Sequence, residues 1–342
     1  MSTLLELPER LLPLQSLIER SLARVDRVFD AQLQSDLPPV NRLCEHVERY
    51  RGKMLRPMLV VLSGLAADPR SGCEDSAVTE SHIAVAAVCE MIHMATLVHD
   101  DVLDEADTRR RGSTVNRLHG NEAAVILGDY LFSAAYHLCS TIPGDAGRRA
   151  SLLIGQTGMT LCAGELLQLD RRGDFSLSEE VYFDIVQRKT ASLIAAACSL
   201  GAWLSEGPGG RIAGSLHQIG LRLGVAFQIQ DDLLDLMGKQ EVVGKSVGRD
   251  VVLGKMTLPV IHHLSIASAG ERGRTLMRLR EGSDALAERL RSALSSTGSI
   301  DYSREVAVRL EDESKQSLLA MADSPARDYL MMMADAIVNR AF

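Results

Sequence analysis

The sequence predicts an all-α protein, and three observations carry that prediction. Ala, Leu and Val dominate a chain of 342 residues that is 46% hydrophobic and only 4% aromatic. Gly-Pro punctuation is sparse and no recurring strand-plus-turn pattern appears, so β and doubly wound α/β folds fit poorly. Apolar residues recur instead at helical spacing. Two of those runs end on the same acidic pattern, Asp100-Asp101-Val102-Leu103-Asp104 and Asp231-Asp232-Leu233-Leu234-Asp235.

On a helix, positions i and i+4 share a face, with i+1 beside them, so each DDxxD copy projects three carboxylates from about one turn. Like charges that close destabilise a helix surface unless a cation sits among them. Mg²⁺ prefers carboxylate oxygens and usually takes one or two of them together with substrate phosphates. Two copies in one chain therefore suggest two acidic walls across a cavity, with a phosphorylated substrate bridged between them by metals. A single copy would read as a solvated acidic helix end.

Composition narrows the class further. The length is long for one domain yet enough for one large core. A net charge of −8 argues against nucleic acid as a partner, because phosphate backbones need a basic face. Six cysteines (Cys44, Cys73, Cys89, Cys139, Cys162, Cys198) show no CxxC spacing and predict free thiols in a reducing, cytoplasmic compartment. Met1 to Arg10 carries Glu6 and Glu9 and does not read as a signal peptide. The apolar stretch near Ala195–Leu204 is too short to span a bilayer. No transmembrane segment is expected, only peripheral membrane contact through a greasy product.

Taken in order, residues 1–37 read as one or two amphipathic helices on Leu17, Ile18, Leu22, Val25, Val28 and Phe29, broken by Pro38-Pro39. Arg51-Gly52-Lys53-Met54-Leu55-Arg56-Pro57 comes next. Lys53 and Arg56, three apart, point the same way on a helix, and taken alone they read equally as snorkelling surface cations. The run from about Ala77 to Leu103 is apolar nearly all round, the mark of a buried helix. Glu90, His93 and His99 are its polar exceptions. His99 reads as a satisfied core residue; His93 lies two turns before Asp100 on the same face.

Beyond the first acidic cluster, Arg109-Arg110-Arg111-Gly112 offers guanidinium forks that match phosphate oxygens. Further helical runs cover Asn116–Tyr136, ended by Pro143-Gly144, and Ser151–Leu169, which carries Gly164-Glu165-Leu166-Leu167-Gln168. Ser178 reads as the N-cap of the next helix. That helix holds Lys189-Thr190, a pair that packs poorly unless it faces a cavity. Ile212–Leu236 is the second acidic helix, with Gln228 one turn ahead of Asp231 and Asp232. Gly238–Ser246 misses a phosphate-binding P-loop, having lysine at position 239 and an acidic helix where a strand should precede. Its glycines leave Lys245 and Lys255 free to fold over an anion. The last eighty or so residues read as structural amphipathic helices. Glu90-Met91-Ile92-His93 fits di-iron bundle spacing once, with no second copy.

These motifs, in this order, resemble the trans-isoprenyl diphosphate synthases, in particular the long-chain, octaprenyl- or solanesyl-like polyprenyl members. The likeness covers roughly residues 40–340 and departs at Arg111-Gly112, where the family has its glycine directly after the second arginine. The resemblance implies an isoprenoid-synthase-type helical bundle around a deep central cavity. It implies one domain over 1–342 with residues 1–39 as a helical extension, and a homodimer. Asp100, Asp104 and Asp231, with Asp101, Asp232 and Asp235 close by, would bind Mg²⁺. Arg109, Lys189, Gln228, Lys245 and Lys255 would hold the allylic diphosphate, and Lys53, Arg56, His93 and Arg110 isopentenyl diphosphate. Lys189, Thr190 and Gln228 would act on the reacting centre. Ala95, five residues before Asp100, is small where the family uses a bulky aromatic to stop growth, which implies a long product. Met94, Ile92 and Met91 would line the tunnel further down. The alternatives are a shorter-chain (farnesyl or geranylgeranyl) synthase and a non-catalytic subunit of a heteromeric one.

Overall fold

The computed structural model describes residues 8–48, 50–68, 73–110, 112–207, 210–237, 248–281 and 286–339. Its first helices are α1 (Leu12–Leu33), α2 (Pro38–Glu48), α3 (Leu55–Ala67) and α4 (Glu80–Leu103). An antiparallel pair comes next, β1 (Thr108–Arg109) with β2 (Gly112–Ser113). Then come α5 (Val115–His119), α6 (Asn121–Thr141), α7 (Gly144–Asp170) and α8 (Glu179–Val186), a π-helical turn (Gln187–Ala191), α9 (Ser192–Glu206) and α10 (Ile212–Met237). The chain closes with α11 (Arg249–Val252), α12 (Leu258–Ile266), α13 (Ala269–Glu281), α14 (Leu286–Ser296), α15 (Ser299–Leu319) and α16 (Pro325–Val338). The fold is all-α; β1 and β2 are the only strands among the described residues.

Pro38 does not break a helix but opens α2, because a proline at the first helical position lacks an N–H that would be unpaired there anyway. The single run expected over Asn116–Tyr136 is two helices. Gly120, at φ +86°, ends α5 and starts α6.

Two compact units emerge. One comprises Met1–Met159, Leu193–Gly220 and Ser317–Met333; the other comprises Thr160–Ser192, Leu221–Gln316 and Ala334–Phe342. In the first, α4 packs against α1, α3 and α6. Thr79 and His82 form a reciprocal capping box at its N-terminus, which satisfies two otherwise orphaned N–H groups. Gly201 on α9 allows a close crossing with α3: a Cβ there would lie 2.1 Å from the Val60 carbonyl oxygen. Among the described residues, helix α4 is an apolar stretch longer than Ala195–Leu204. It is long and apolar enough to cross a membrane, but 72% of that window is buried inside the protein, as expected of a core helix.

In the second unit the π turn is wedged between α7 and α10. A Cβ on Gly164 would lie 2.7 Å from Arg188 Cβ and 2.8 Å from Lys189 N, and one on Gly224 2.5 Å from Ala191 Cα. Ser178 caps α8 by accepting from the Val181 N–H at 3.3 Å. These contacts fix where Lys189 and Thr190 can lie.

Candidate active site

In the first unit the acidic motif occupies the last turn of α4, with Asp104 as its C-cap. Its three carboxylates do not share a face. Asp100 and Asp104 are half-buried, whereas Asp101 turns into the core and is 1% exposed. There its Oδ1 accepts from Arg109 Nε and Nη2, both at 2.8 Å. Burial raises the Asp101 carboxyl, and Arg109 opposes that rise. Arg109, expected to grip substrate, is therefore paired with an aspartate of the motif itself.

The hairpin of β1 and β2 presents the arginines. Arg110 sits at φ +50°, a left-handed conformation that costs a non-glycine residue about 1 kcal/mol. Arg111, which stands where the family has its glycine with the spacing onward to Thr114 and Asn116 unchanged, lies outside the described residues. The guanidinium of Arg110 rests against the backbone of Gly52, where a Cβ would be 2.4 Å from Nη2. Glycine at position 52 makes room for it. His93 feels this cluster. Burial, then Arg56, Arg110 and Arg109, hold its imidazole well below the usual range, so it is neutral at pH 7. The first unit therefore draws Arg56, His93, Arg109 and Arg110 into mutual electrostatic range. His99 is hydrogen-bonded to the Val125 carbonyl at 3.1 Å, as a satisfied histidine. Met91, Ile92, Met94 and Ala95 are all buried along α4.

In the second unit a cavity is lined by Gln168, Lys189, Thr190, Gln228, Asp232 and Lys255, among others. A π turn leaves a backbone carbonyl out of the regular ladder and recurs at functional sites; here it carries Lys189 and Thr190. Lys189 pairs with Glu165 and donates to Gln168 Oε1 at 2.9 Å. Thr190 Oγ1 donates to Gln228 Oε1 at 2.8 Å, and Gln228 Nε2 to Asp232 Oδ1 at 2.8 Å. Tyr182 OH completes the chain by donating to Asp232 Oδ2 at 2.8 Å. Burial, then Asp250, push the Asp232 carboxyl up to about 8, against the pull of Gln228 and Tyr182.

Asp231 is exposed and Asp235 half-buried. Asp235 accepts from the Asp250 N–H at 3.2 Å, and Asp250 in turn faces Lys255 Nζ at 3.5 Å. Lys245 lies outside the described residues. The symmetry between the motifs is informative: in each, the second aspartate is the buried, protein-bonded one. Tyr182 carried no signal in the sequence, and Asp250 stands in the charged pair Arg249-Asp250, which by itself assigns it no role. Glu165 and Gln168 stand in a recognisable motif, but nothing in its spacing assigns them a role.

Among the described residues, no group of three His, Cys, Asp or Glu side chains converges to hold a metal ion alone. Mg²⁺ usually takes one or two carboxylates and completes its shell with waters and substrate phosphates. Asp100 and Asp104 of the first unit, and separately Asp231 of the second, carry half-buried or exposed oxygens, the hard donors a divalent ion takes, so the residues present fit one.

A chain that sets two DDxxD helices beside lysine and arginine clusters belongs to the class of prenyl-transferring helical enzymes, and comparison with known proteins agrees. The polyprenyl synthetase family model matches residues 38–295. The octaprenyl diphosphate synthase of Escherichia coli is 33% identical, over 96% of this chain and 98% of its own. A short chain isoprenyl diphosphate synthase of Methanothermobacter thermautotrophicus is 34% identical, over 90% and 92%. A polyprenyl synthase from Caulobacter crescentus, crystallised with calcium and isoprenyl diphosphate, superposes with a TM-score of 0.84 at 34% identity over 96% and 98%. The chain belongs to the polyprenyl synthetase family and is a chain-elongating prenyltransferase.

Proposed function

We propose that this enzyme condenses isopentenyl diphosphate with an allylic diphosphate, head to tail and trans, to give a long-chain polyprenyl diphosphate. The observation that carries the reading is the π turn. It brings Lys189, Thr190 and Gln228 to one cavity through bonds fixed by Gly164 and Gly224. The two units are read as halves of one synthase domain, since the family match runs through both.

In this reading Asp100, Asp104 and Asp231 hold Mg²⁺, with Asp235 nearby. The ion supplies charge neutralisation of the leaving diphosphate, commonly worth several kcal/mol. Lys189, Lys255 and Arg109 hold that diphosphate, with Lys245. Asp101 and Asp232 act from behind, fixing Arg109 and Gln228. When the allylic C–O bond breaks, its electron pair leaves with diphosphate. The Thr190 carbonyl and the Gln228 dipole stabilise the carbocation. Lys53, Arg56, His93 and Arg110 hold isopentenyl diphosphate, whose double bond attacks; loss of a proton then restores a double bond. Apolar walls exclude water that would quench the cation.

Ala95 carries the long-chain assignment, because no aromatic ring stands at that position to stop growth. The enzyme works as a homodimer in the cytoplasm, meeting membranes through its product. The test is chromatography of products made from radiolabelled isopentenyl diphosphate with allylic primers of several lengths. Products beyond geranylgeranyl length support the reading. Arrest at or below that length replaces it with the shorter-chain alternative, and no incorporation refutes it.

A further inference from the structure

Helix α1 lies outside residues 38–295, the part matched by the family model, yet it grips the segment that starts the isopentenyl diphosphate site. Arg51 Nη1 donates to Asp26 Oδ1 at 3.1 Å and Nη2 pairs with Asp30. The guanidinium also stacks over Phe29, 4.3 Å from the ring centroid, within cation–π range. The three α1 residues are spaced i, i+3, i+4, one face of a helix. Arg51 is 18% exposed, whereas Asp26 and Asp30 are nearly half exposed. The aspartates thus serve Arg51 more than the core.

The backbone just past Arg51 needs holding. Gly52 lies against the Arg110 guanidinium, and Met54 is left-handed at φ +52° while forming the N-cap of α3. Strain of that kind persists only where surrounding contacts over-determine it. From the other side, buried Glu90 of α4 faces Arg56, Arg110 and Arg51. Its Oε2 has no hydrogen-bond partner, and neither have the Nε atoms of Arg51 and Arg56.

We propose that Asp26, Phe29 and Asp30 of α1 are positioning residues for isopentenyl diphosphate. They clamp Arg51 so that the backbone from Gly52 to the left-handed Met54 presents Lys53 and Arg56 to its diphosphate. This rests on the assignment of Lys53, Arg56, His93 and Arg110 to that substrate under Proposed function.

The test compares full-length wild type, Asp26→Asn/Asp30→Asn and the charge-preserving Asp26→Glu/Asp30→Glu. It measures KM for each substrate, kcat and Tm. Because both aspartates are partly exposed, the asparagine variant should keep Tm within about 2 °C. The proposal expects KM for isopentenyl diphosphate to rise about 10-fold, with the allylic KM and kcat at saturation within about twofold. The glutamate variant should recover most of the loss. Three results overturn it: both KM values unchanged, both KM values changing together with Tm, or a fall in KM for isopentenyl diphosphate as Arg51 is freed. Wild-type turnover is the control. Wild type that consumed no isopentenyl diphosphate would overturn the functional reading, and this proposal with it.

Discussion

Replacing Gly164 with alanine would place a methyl group 2.7 Å from Arg188 Cβ and 2.8 Å from Lys189 N. Ordinary contact begins near 3.4 Å, so the π turn or α7 must move by about 0.7 Å to clear Arg188 Cβ. No side-chain rotation relieves the clash, because Lys189 N and Arg188 C are backbone atoms. Overpacking of this kind costs about 1–3 kcal/mol. The larger consequence is catalytic, since a 1 Å misplacement of positioned groups can cost about 10²-fold. Moving Lys189 and Thr190 should therefore lower kcat by about 10- to 100-fold while a folded, helical protein remains. Initial rates of labelled isopentenyl diphosphate incorporation, read beside a thermal melt, measure both effects. Wild-type kcat in a Gly164→Ala protein would refute the reasoning.

Other perturbations probe separate parts. Tyr182→Phe leaves Asp232 Oδ2 without its donor; the denaturant midpoint should fall by the equivalent of about 1–3 kcal/mol at unchanged m-value. His82 is buried with its pKa lowered from 6.5 to about 4, chiefly by burial. The native state therefore refuses a proton that the unfolded chain accepts. Its contribution is present above pH 6.5 and is lost as pH falls towards 4, about 3 kcal/mol in all. His82→Gln should flatten that acid limb in pH-dependent unfolding. Ala95→Tyr should shorten the product distribution seen by chromatography; an unchanged distribution would remove Ala95 from the chain-length role.

The all-α class and the helical runs were legible because apolar period and sparse turn residues both reach through the chain. The DDxxD motifs were legible because carboxylates on one turn demand an explanation. Their internal division was not. Whether Asp101 or Asp100 turns inward depends on where Arg109 arrives, and helix periodicity places neighbours only to within a face. The π turn at Gln187–Ala191 was invisible for a related reason. It is packed against by Gly164 and Gly224, far away in sequence, where a Cβ would meet its atoms. The strained Arg110 was half legible: Arg111 in place of the family's glycine announced an adjustment but not its form. Pro38 misled because proline stops a helix from within and starts one from its first position.

The central claim is that both acidic motifs act in one diphosphate chemistry, and single substitutions at the first aspartate of each motif test it most directly. Asp100→Asn and Asp231→Asn, assayed separately with Mg²⁺, isopentenyl diphosphate and an allylic primer, should each lose at least about 10²-fold in turnover with Tm preserved. Turnover within a few-fold of wild type in either protein would contradict the account.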